Sequence, residues 1–321
     1  MPGMVDAALA NLISPIILSF WLGLLAGVAR SDLQIPDPVA KGLSIYLICA
    51  IGVKGGVVVR ESPDLAQLLP TLGIGVVLSF LLPVAAFALL RLLSRLGRID
   101  AAAVAAHYGS VSIVTFVAAT EFVEARGLAY ESFMVAVVAA METPAIVTGL
   151  LLAGARDKRF SGELLHEVLL NGSVVLLLGS FAIGLMVGRP GADEVAGFFE
   201  VPFKGALCLF LLEMGLLVAR RFASGARLTP ALFLFGLGFP PLAALAGGFA
   251  GHAVGLSSGG IALLATLCAS ASYIAVPAAM RMALPKADPS ISLTLALGVT
   301  FPFNITLGLP LYLAAAEWLG R

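Results

Sequence analysis

The sequence predicts an all-α integral membrane protein whose ten transmembrane helices form two inverted repeats of five, with one broken helix crossing the other. Three observations carry this expectation. The 321 residues are 60% hydrophobic and 12% charged, with a mean hydropathy of +1.04, far from the balance of a soluble domain of this length. The apolar residues gather into stretches near the roughly 20 residues that a helix needs to cross the hydrocarbon core. Motifs of the first half recur in the second at nearly constant spacing.

In chain order the spans fall near 11–29, 39–58, 65–90, 101–122, 131–153, 166–188, 201–219, 229–250, 259–281 and 290–318. Charged or Pro/Gly-rich breaks separate them. Arg30 closes the first, Arg60 the second, Arg91 the third, and Arg126 follows the fourth. Arg156, Lys158 and Arg159 follow the fifth, Arg189 and Pro190 the sixth, Arg220 and Arg221 the seventh. Thr229 and Pro230 open the eighth, Arg281 ends the ninth, and Pro289 precedes the tenth. The N-terminus lacks a basic region and a small-residue cleavage site, so the first span reads as a retained helix rather than a signal peptide.

Counting cations in the connections orients the chain. Arg30, Lys41, Arg91, Arg95, Arg98, Arg156, Lys158, Arg159, Arg220, Arg221, Arg227, Arg281 and Lys286 fall on one side, thirteen in all, against four (Arg60, Arg126, Arg189, Arg321) on the other. The positive-inside rule makes the richer side cytoplasmic and puts both termini on the outer, periplasmic side of the cell (inner) membrane. Lys54 and Lys204 lie near span ends and read as snorkelling side chains. Zero net charge points to no nucleic-acid partner, and Cys49, Cys208 and Cys268 lack ligand spacing and read as small core residues.

The internal repeat is legible in three places. "SVSIVTFVAATE" (110–121) meets "SASYIAVPAAMR" (270–281) at an offset of 160, pairing Ser110 with Ser270 and Ser112 with Ser272. "ETPAIVTGL" from Glu142 meets "TFPFNITLGLP" from Thr300 at an offset of 158, pairing Pro144 with Pro302. "KGLSIYLICAIG" from Lys41 meets "KGALCLFLLEMG" from Lys204 at 163, sharing Lys-Gly and a later glycine. Five spans per unit force the second copy to enter the membrane from the opposite side, a construction common among secondary transporters. The units are residues 1–155 and 156–321.

Gly109, Ser110, Val111 and Ser112 in span four, with Ser270, Ala271, Ser272, Tyr273 and Pro277 in span nine, are a poor recipe for unbroken helix. Unwound backbone survives at membrane depth only inside protein or along a cavity. Two such breaks aim half-helix N-termini at one point, which suits a small anion. Serine hydroxyls can donate to that anion, while threonine and asparagine oxygens suit a hard cation such as Na⁺. The plainer reading is that the serines only permit close helix packing. Their pairing by the repeat and the prolines in the adjacent spans favour the site.

Glu142, in the middle of span five, is an ionisable group at membrane depth and a candidate Na⁺ ligand or support. Its repeat mate is Thr300, and Asn304 offers a neutral oxygen at the equivalent depth. Glu213, in span seven and outside the motif-bearing helices, reads as a structural pair with a neighbouring helix at least as readily as a transport residue. His107 reads as a proton-sensitive group or, more simply, as a capping or packing histidine.

At "HYGSVSIVTF" from His107, "ASASYIAVPAAMR" from Ala269 and "VTFPFNITLGLPLY" from Val299, the chain resembles the sodium-dependent bicarbonate transporter family over nearly its whole length. The resemblance implies a ten-helix fold, a homotrimer, and inward movement of bicarbonate with Na⁺ by an elevator-type motion. Spans three to five and eight to ten would form the moving core, and spans one, two, six and seven the scaffold or gate domain. It implies a bicarbonate site at Ser110, Ser112, Ser270, Ser272 and nearby backbone amides, and Na⁺ contacts from Thr115, Glu142, Thr143 and Asn304. No organic cofactor is implied. Cyanobacterial members carry a longer segment between spans five and six, linked to a PII-like regulatory protein, and the short connection from Gly154 argues against that partner here.

Another small organic anion on the same architecture is the alternative substrate. An intramembrane enzyme using His107 and a serine is disfavoured because the serines recur by repeat whereas position 267, the mate of His107, is Leu. Two gapped helices converging on one closed site also suit alternating access better than a channel.

Overall fold

The computed structural model describes residues 12–61, 66–154, 170, 172–223 and 228–320, among which every regular element is a helix. Ser14 caps α1 (Pro15–Val28), accepting from the Ile17 N–H ahead of a proline in the first turn. Next come α2 (Asp37–Glu61), α3 (Leu68–Leu93), α4 (Arg98–Gly109), α5 (Ile113–Glu124) and α6 (Met134–Ala153). The second half holds α7 (Gly172–Phe199), α8 (Phe203–Ala223), α9 (Pro230–Ala253), α10 (Ser258–Ala269) and α11 (Ala275–Ala283). A final helical stretch, α12 (Pro289–Leu319), is interrupted by π-helical turns at Ala296–Thr300 and Asn304–Gly308. Pro302, lying between them, removes a backbone donor from the ladder.

Seven helical segments among the described residues are long and apolar enough to cross a membrane, with α4 and α5 together counting as one. They coincide with expected spans two to six, eight and ten. The other three expected spans fall short for separate reasons. Helix α1 has 14 residues, α8 carries Lys204, Glu213, Arg220 and Arg221, and the ninth stretch is divided into α10 and α11. Inside α7, Gly188 (φ 63°, ψ −165°) breaks the helix where the sixth span is expected to end, and Pro190 follows it. A side chain there would be strained and would press on Arg60. The expected connection between spans five and six lies outside the described residues.

Two backbone-to-backbone crossings organise α1, α2, α7 and α8. A methyl group on Gly215 of α8 would overlap the Phe20 carbonyl of α1 and lie 2.6 Å from Leu24 N and 3.0 Å from Gly23 C. One on Gly56 of α2 would overlap the Phe181 carbonyl of α7 and lie 2.6 Å from Leu185 N and 3.0 Å from Gly184 C. The two crossings thus share one local geometry, with Gly56 corresponding to Gly215 at an offset of 159 (215 − 56). The alignment of Lys41 with Lys204 would instead pair Gly52 with Gly215. Gly42 and Gly205, beside those lysines, have nothing within 4 Å, so packing exerts no pressure on their register.

The core lies around α4 and α10. Ala101 to Gly109 are all buried, as are Gly259 to Ala269; small side chains let neighbouring helices close over them on every side. Gly109 is required by such an approach, since a Cβ there would overlap the Pro83 ring of α3. Loops lock the ends of both helices: Ser257 N donates to Glu131 Oε1 (2.7 Å) at the start of α10, and Asp288 N donates to Asp100 Oδ1 (2.9 Å) at the start of α4.

Candidate functional site

Between α4 and α5 the chain leaves the helix at Ser110 (φ −88°, ψ 174°) and Ser112 (φ −104°, ψ 110°), and between α10 and α11 at Ser270 (φ −82°, ψ 163°). The two extended segments touch. Ser112 N donates to Ser270 Oγ (2.9 Å), Ser270 Oγ donates to the Leu267 carbonyl (2.8 Å), and Ser272 N donates to the His107 carbonyl (2.8 Å). Ser112 Oγ caps α5 by accepting from Thr115 N (3.2 Å). Each break therefore supplies partners for backbone groups that the other leaves free, which makes unwound chain tolerable in an apolar interior.

These bonds divide the serines by role. Ser112 and Ser270 are occupied in holding the crossing. Ser110 is 1% exposed and its hydroxyl has no partner among the described residues. The Tyr273 hydroxyl lies near the Ser112 side chain and is otherwise buried without a partner among the described residues. Val111 and Ala271 are buried beside them. The first N–H groups of a helix have no intrahelical acceptor, and at the start of α5 Ser112 Oγ takes one of them, that of Thr115. Buried donors without acceptors are rare in native proteins, and an ordered water or a ligand would supply what they lack.

Expected cation ligands surround this crossing unevenly. Thr115 is buried in the first turn of α5. Helix α6 runs antiparallel to α4, with Gly149 against Ala106 and Ala145 against Gly109. Continuing that register brings Glu142, one turn before Ala145, level with the break. Its Oε2 is buried with no partner among the described residues, and the preceding carbonyl, of Met141, accepts from Ser79 Oγ. Asn304 binds the other break: its Nδ2 donates to the Ala269 carbonyl (2.8 Å) while its Oδ1 accepts from Tyr312 (2.7 Å). Thr143, half-buried and about 100° round α6 from Glu142, has no bond to either break among the described residues.

Sequence reasoning missed several contacts. Tyr108 donates to Thr300 Oγ1 (2.5 Å), which donates on to the Gly236 carbonyl (2.9 Å), tying α4 to α12 and α9. The signal was present, since Thr300 is the repeat mate of Glu142. Glu131 precedes a serine at a helix start and resembles an ordinary loop acid, so its capping of α10 was not legible. Glu213 pairs with Arg220 (3.3 Å) within α8 rather than with a neighbouring helix.

Lys54 and Lys204 reach carboxylates instead of snorkelling alone. Lys54 on α2 pairs with Glu124 at 2.6 Å and Lys204 on α8 pairs with Glu121 at 3.3 Å, both acids lying on α5. Tyr130 also donates to Glu124 (2.7 Å), and burial followed by the neighbouring carboxylates pushes its phenol pKa up, so it stays a donor. The pairs line a cleft of about 550 Å³ that descends past Thr120 to Phe116, one turn beyond Ser112.

Broken helices that meet at a buried polar point within a membrane protein are a construction used by secondary transporters. A family model described as the Na⁺-dependent bicarbonate transporter superfamily matches residues 15–317. The chain belongs to that superfamily, and it is a multi-pass membrane protein. A search of curated proteins finds no match to it.

Proposed function

We propose that this protein is a secondary active transporter that carries bicarbonate into the cytoplasm together with Na⁺. The observation that carries the reading is the crossing itself, where the Ser110 and Tyr273 hydroxyls are buried without acceptors. Bicarbonate lies there against Ser110, Tyr273 and the backbone amides that open α5, with Gly109, Val111, Ser112, Ser270, Ala271 and Ser272 shaping the pocket. Thr115, Glu142, Thr143 and Asn304 serve the cation, Glu142 supplying the charge that offsets Na⁺ in a dry interior.

The inverted repeat is the frame of this mechanism. It is supported by the matched crossings of Gly215 on α1 and Gly56 on α7, because a span-one-to-seven contact becomes a span-six-to-two contact when the halves exchange. Helices α3 to α6 and α9 to α12 move as the core against α1, α2, α7 and α8, and the protein assembles as a homotrimer through that scaffold. The cleft beside Phe116 is the outer approach to the site.

Na⁺-gradient-driven uptake of labelled bicarbonate into proteoliposomes tests the function. Uptake that is absent, or indifferent to Na⁺, overturns it. A second reading, symport of a small organic anion, draws on the cleft, whose walls are largely apolar and whose volume exceeds the needs of bicarbonate. Counterflow of labelled bicarbonate against candidate carboxylates separates the two.

A further inference from the structure

Besides Ser110 Oγ, Tyr273 OH and Glu142 Oε2, Nε2 of His107 is buried with no partner among the described residues. His107 is 1% exposed, and its own carbonyl accepts from Ser272 N, so its backbone lies where the two breaks meet. It precedes Ser110 by three residues in the last turn of α4.

The other ring nitrogen identifies what Nε2 offers. His107 Nδ1 lies 2.7 Å from the Ala103 carbonyl, an oxygen that can only accept, so Nδ1 carries the hydrogen. In the neutral ring Nε2 is then a bare lone pair, an acceptor facing no donor. A buried acceptor without a donor is costly, and a donor from a ligand would remove that cost.

Bicarbonate has the complementary pattern. It is planar, with two oxygens that share the charge and accept hydrogen bonds and a third that carries a proton and donates one. We propose that His107 Nε2 accepts the hydrogen bond of the bicarbonate hydroxyl, while Ser110 and Tyr273 donate to its charged oxygens. His107 thereby becomes the residue that selects a protonated oxyanion over nitrate, which has the same shape and charge but nothing to donate. The single histidine fits a single proton: its repeat mate is Leu267, so the pocket is asymmetric in the same sense as the anion. The inference rests on the bicarbonate reading above and deepens it.

The test is binding of bicarbonate and of nitrate to the purified full chain at saturating Na⁺, in wild type, His107→Leu and His107→Gln. Wild type should prefer bicarbonate by about tenfold or more, the value of one hydrogen bond to a charged ligand. His107→Leu should lose most of that preference by weakening bicarbonate about tenfold while nitrate changes by less than about twofold. His107→Gln, whose amide oxygen can accept, should retain part of it. Equal weakening of both anions in His107→Leu, or an unchanged ratio, overturns the proposal. Should the leucine variant fail to fold, nitrate matching bicarbonate as a competitor of wild-type uptake overturns it equally. Wild type that binds neither anion would instead overturn the bicarbonate reading itself, a failure visible without any variant.

Discussion

Replacing Ser110 and Ser270 one at a time by alanine should separate ligand binding from folding. Both serines are at most 1% exposed, but their hydroxyls differ in occupation. Ser110 Oγ is buried with no partner, so Ser110→Ala removes a desolvated group worth about 1–3 kcal/mol when unsatisfied. The unliganded protein should keep its stability or gain up to about 1 kcal/mol, because the small cavity offsets part of the relief. A donor to a charged ligand is worth about 1.5–3 kcal/mol, so bicarbonate binding should weaken by about 10- to 100-fold. Ser270→Ala acts oppositely, since Ser270 Oγ accepts from Ser112 N and donates to the Leu267 carbonyl. It leaves the buried Ser112 N–H unmatched, while the Leu267 carbonyl keeps its bond from the backbone N–H at position 270, and should destabilise the unliganded protein by about 1–3 kcal/mol. Unfolding in detergent without bicarbonate, followed by binding titrations on the same preparations, reads both quantities. Ser110→Ala that destabilises by more than about 1 kcal/mol while leaving affinity intact would refute the reasoning and return that hydroxyl to packing.

Other consequences are equally direct. Glu142→Gln should raise the Na⁺ concentration for half-maximal uptake by about tenfold with assembly preserved, and an unchanged Na⁺ dependence would make the carboxylate structural. Gly56→Ala and Gly215→Ala should each lower thermal stability by an overpacking cost of about 1–3 kcal/mol, whereas Gly42→Ala and Gly205→Ala, with nothing within 4 Å, should be tolerated. A double-mutant cycle on Lys54 and Glu124, which are 48% and 31% exposed, should show a coupling below about 1 kcal/mol at physiological salt. A larger value would mean that the pair is desolvated within the membrane. A cysteine at Gly197 should react with an impermeant thiol reagent added outside cells while one at Arg30 is shielded, and the reverse pattern would invert the orientation.

What the sequence disclosed, and what it withheld, follows from what each residue does in the fold. Small and hydroxyl-bearing residues at membrane depth are costly in a plain helix, so Ser110, Ser112, Ser270 and Ser272 announced the two breaks, and each break lies where they predict. Their division of labour was not legible, because a serine that caps a helix and one that awaits a ligand are the same letter. Only the partner distinguishes them, and the partner of Ser112 N, Ser270 Oγ, is 158 residues away. The match at Lys41 and Lys204 differs in offset from the glycine crossings for a related reason. Those residues stand at helix ends with open space around them, and similarity there carries no contact. At Gly56 and Gly215 a single added carbon would overlap a neighbouring backbone, so the register is enforced by volume. Lys54 and Lys204 show the reverse: composition places them near the headgroups, and each also meets an acid on α5 whose proximity no local pattern encodes. His107 combines both difficulties. Its neighbour in sequence is the serine knot, which made a capping role natural, but the atom that matters is the ring nitrogen pointing away from that cap. An unpaired lone pair in a dry interior becomes visible only when every other partner in the crossing has been accounted for. The same accounting leaves the Ser110 and Tyr273 hydroxyls and the His107 ring nitrogen without partners among the described residues, two donors and one acceptor that the proposed bicarbonate would match.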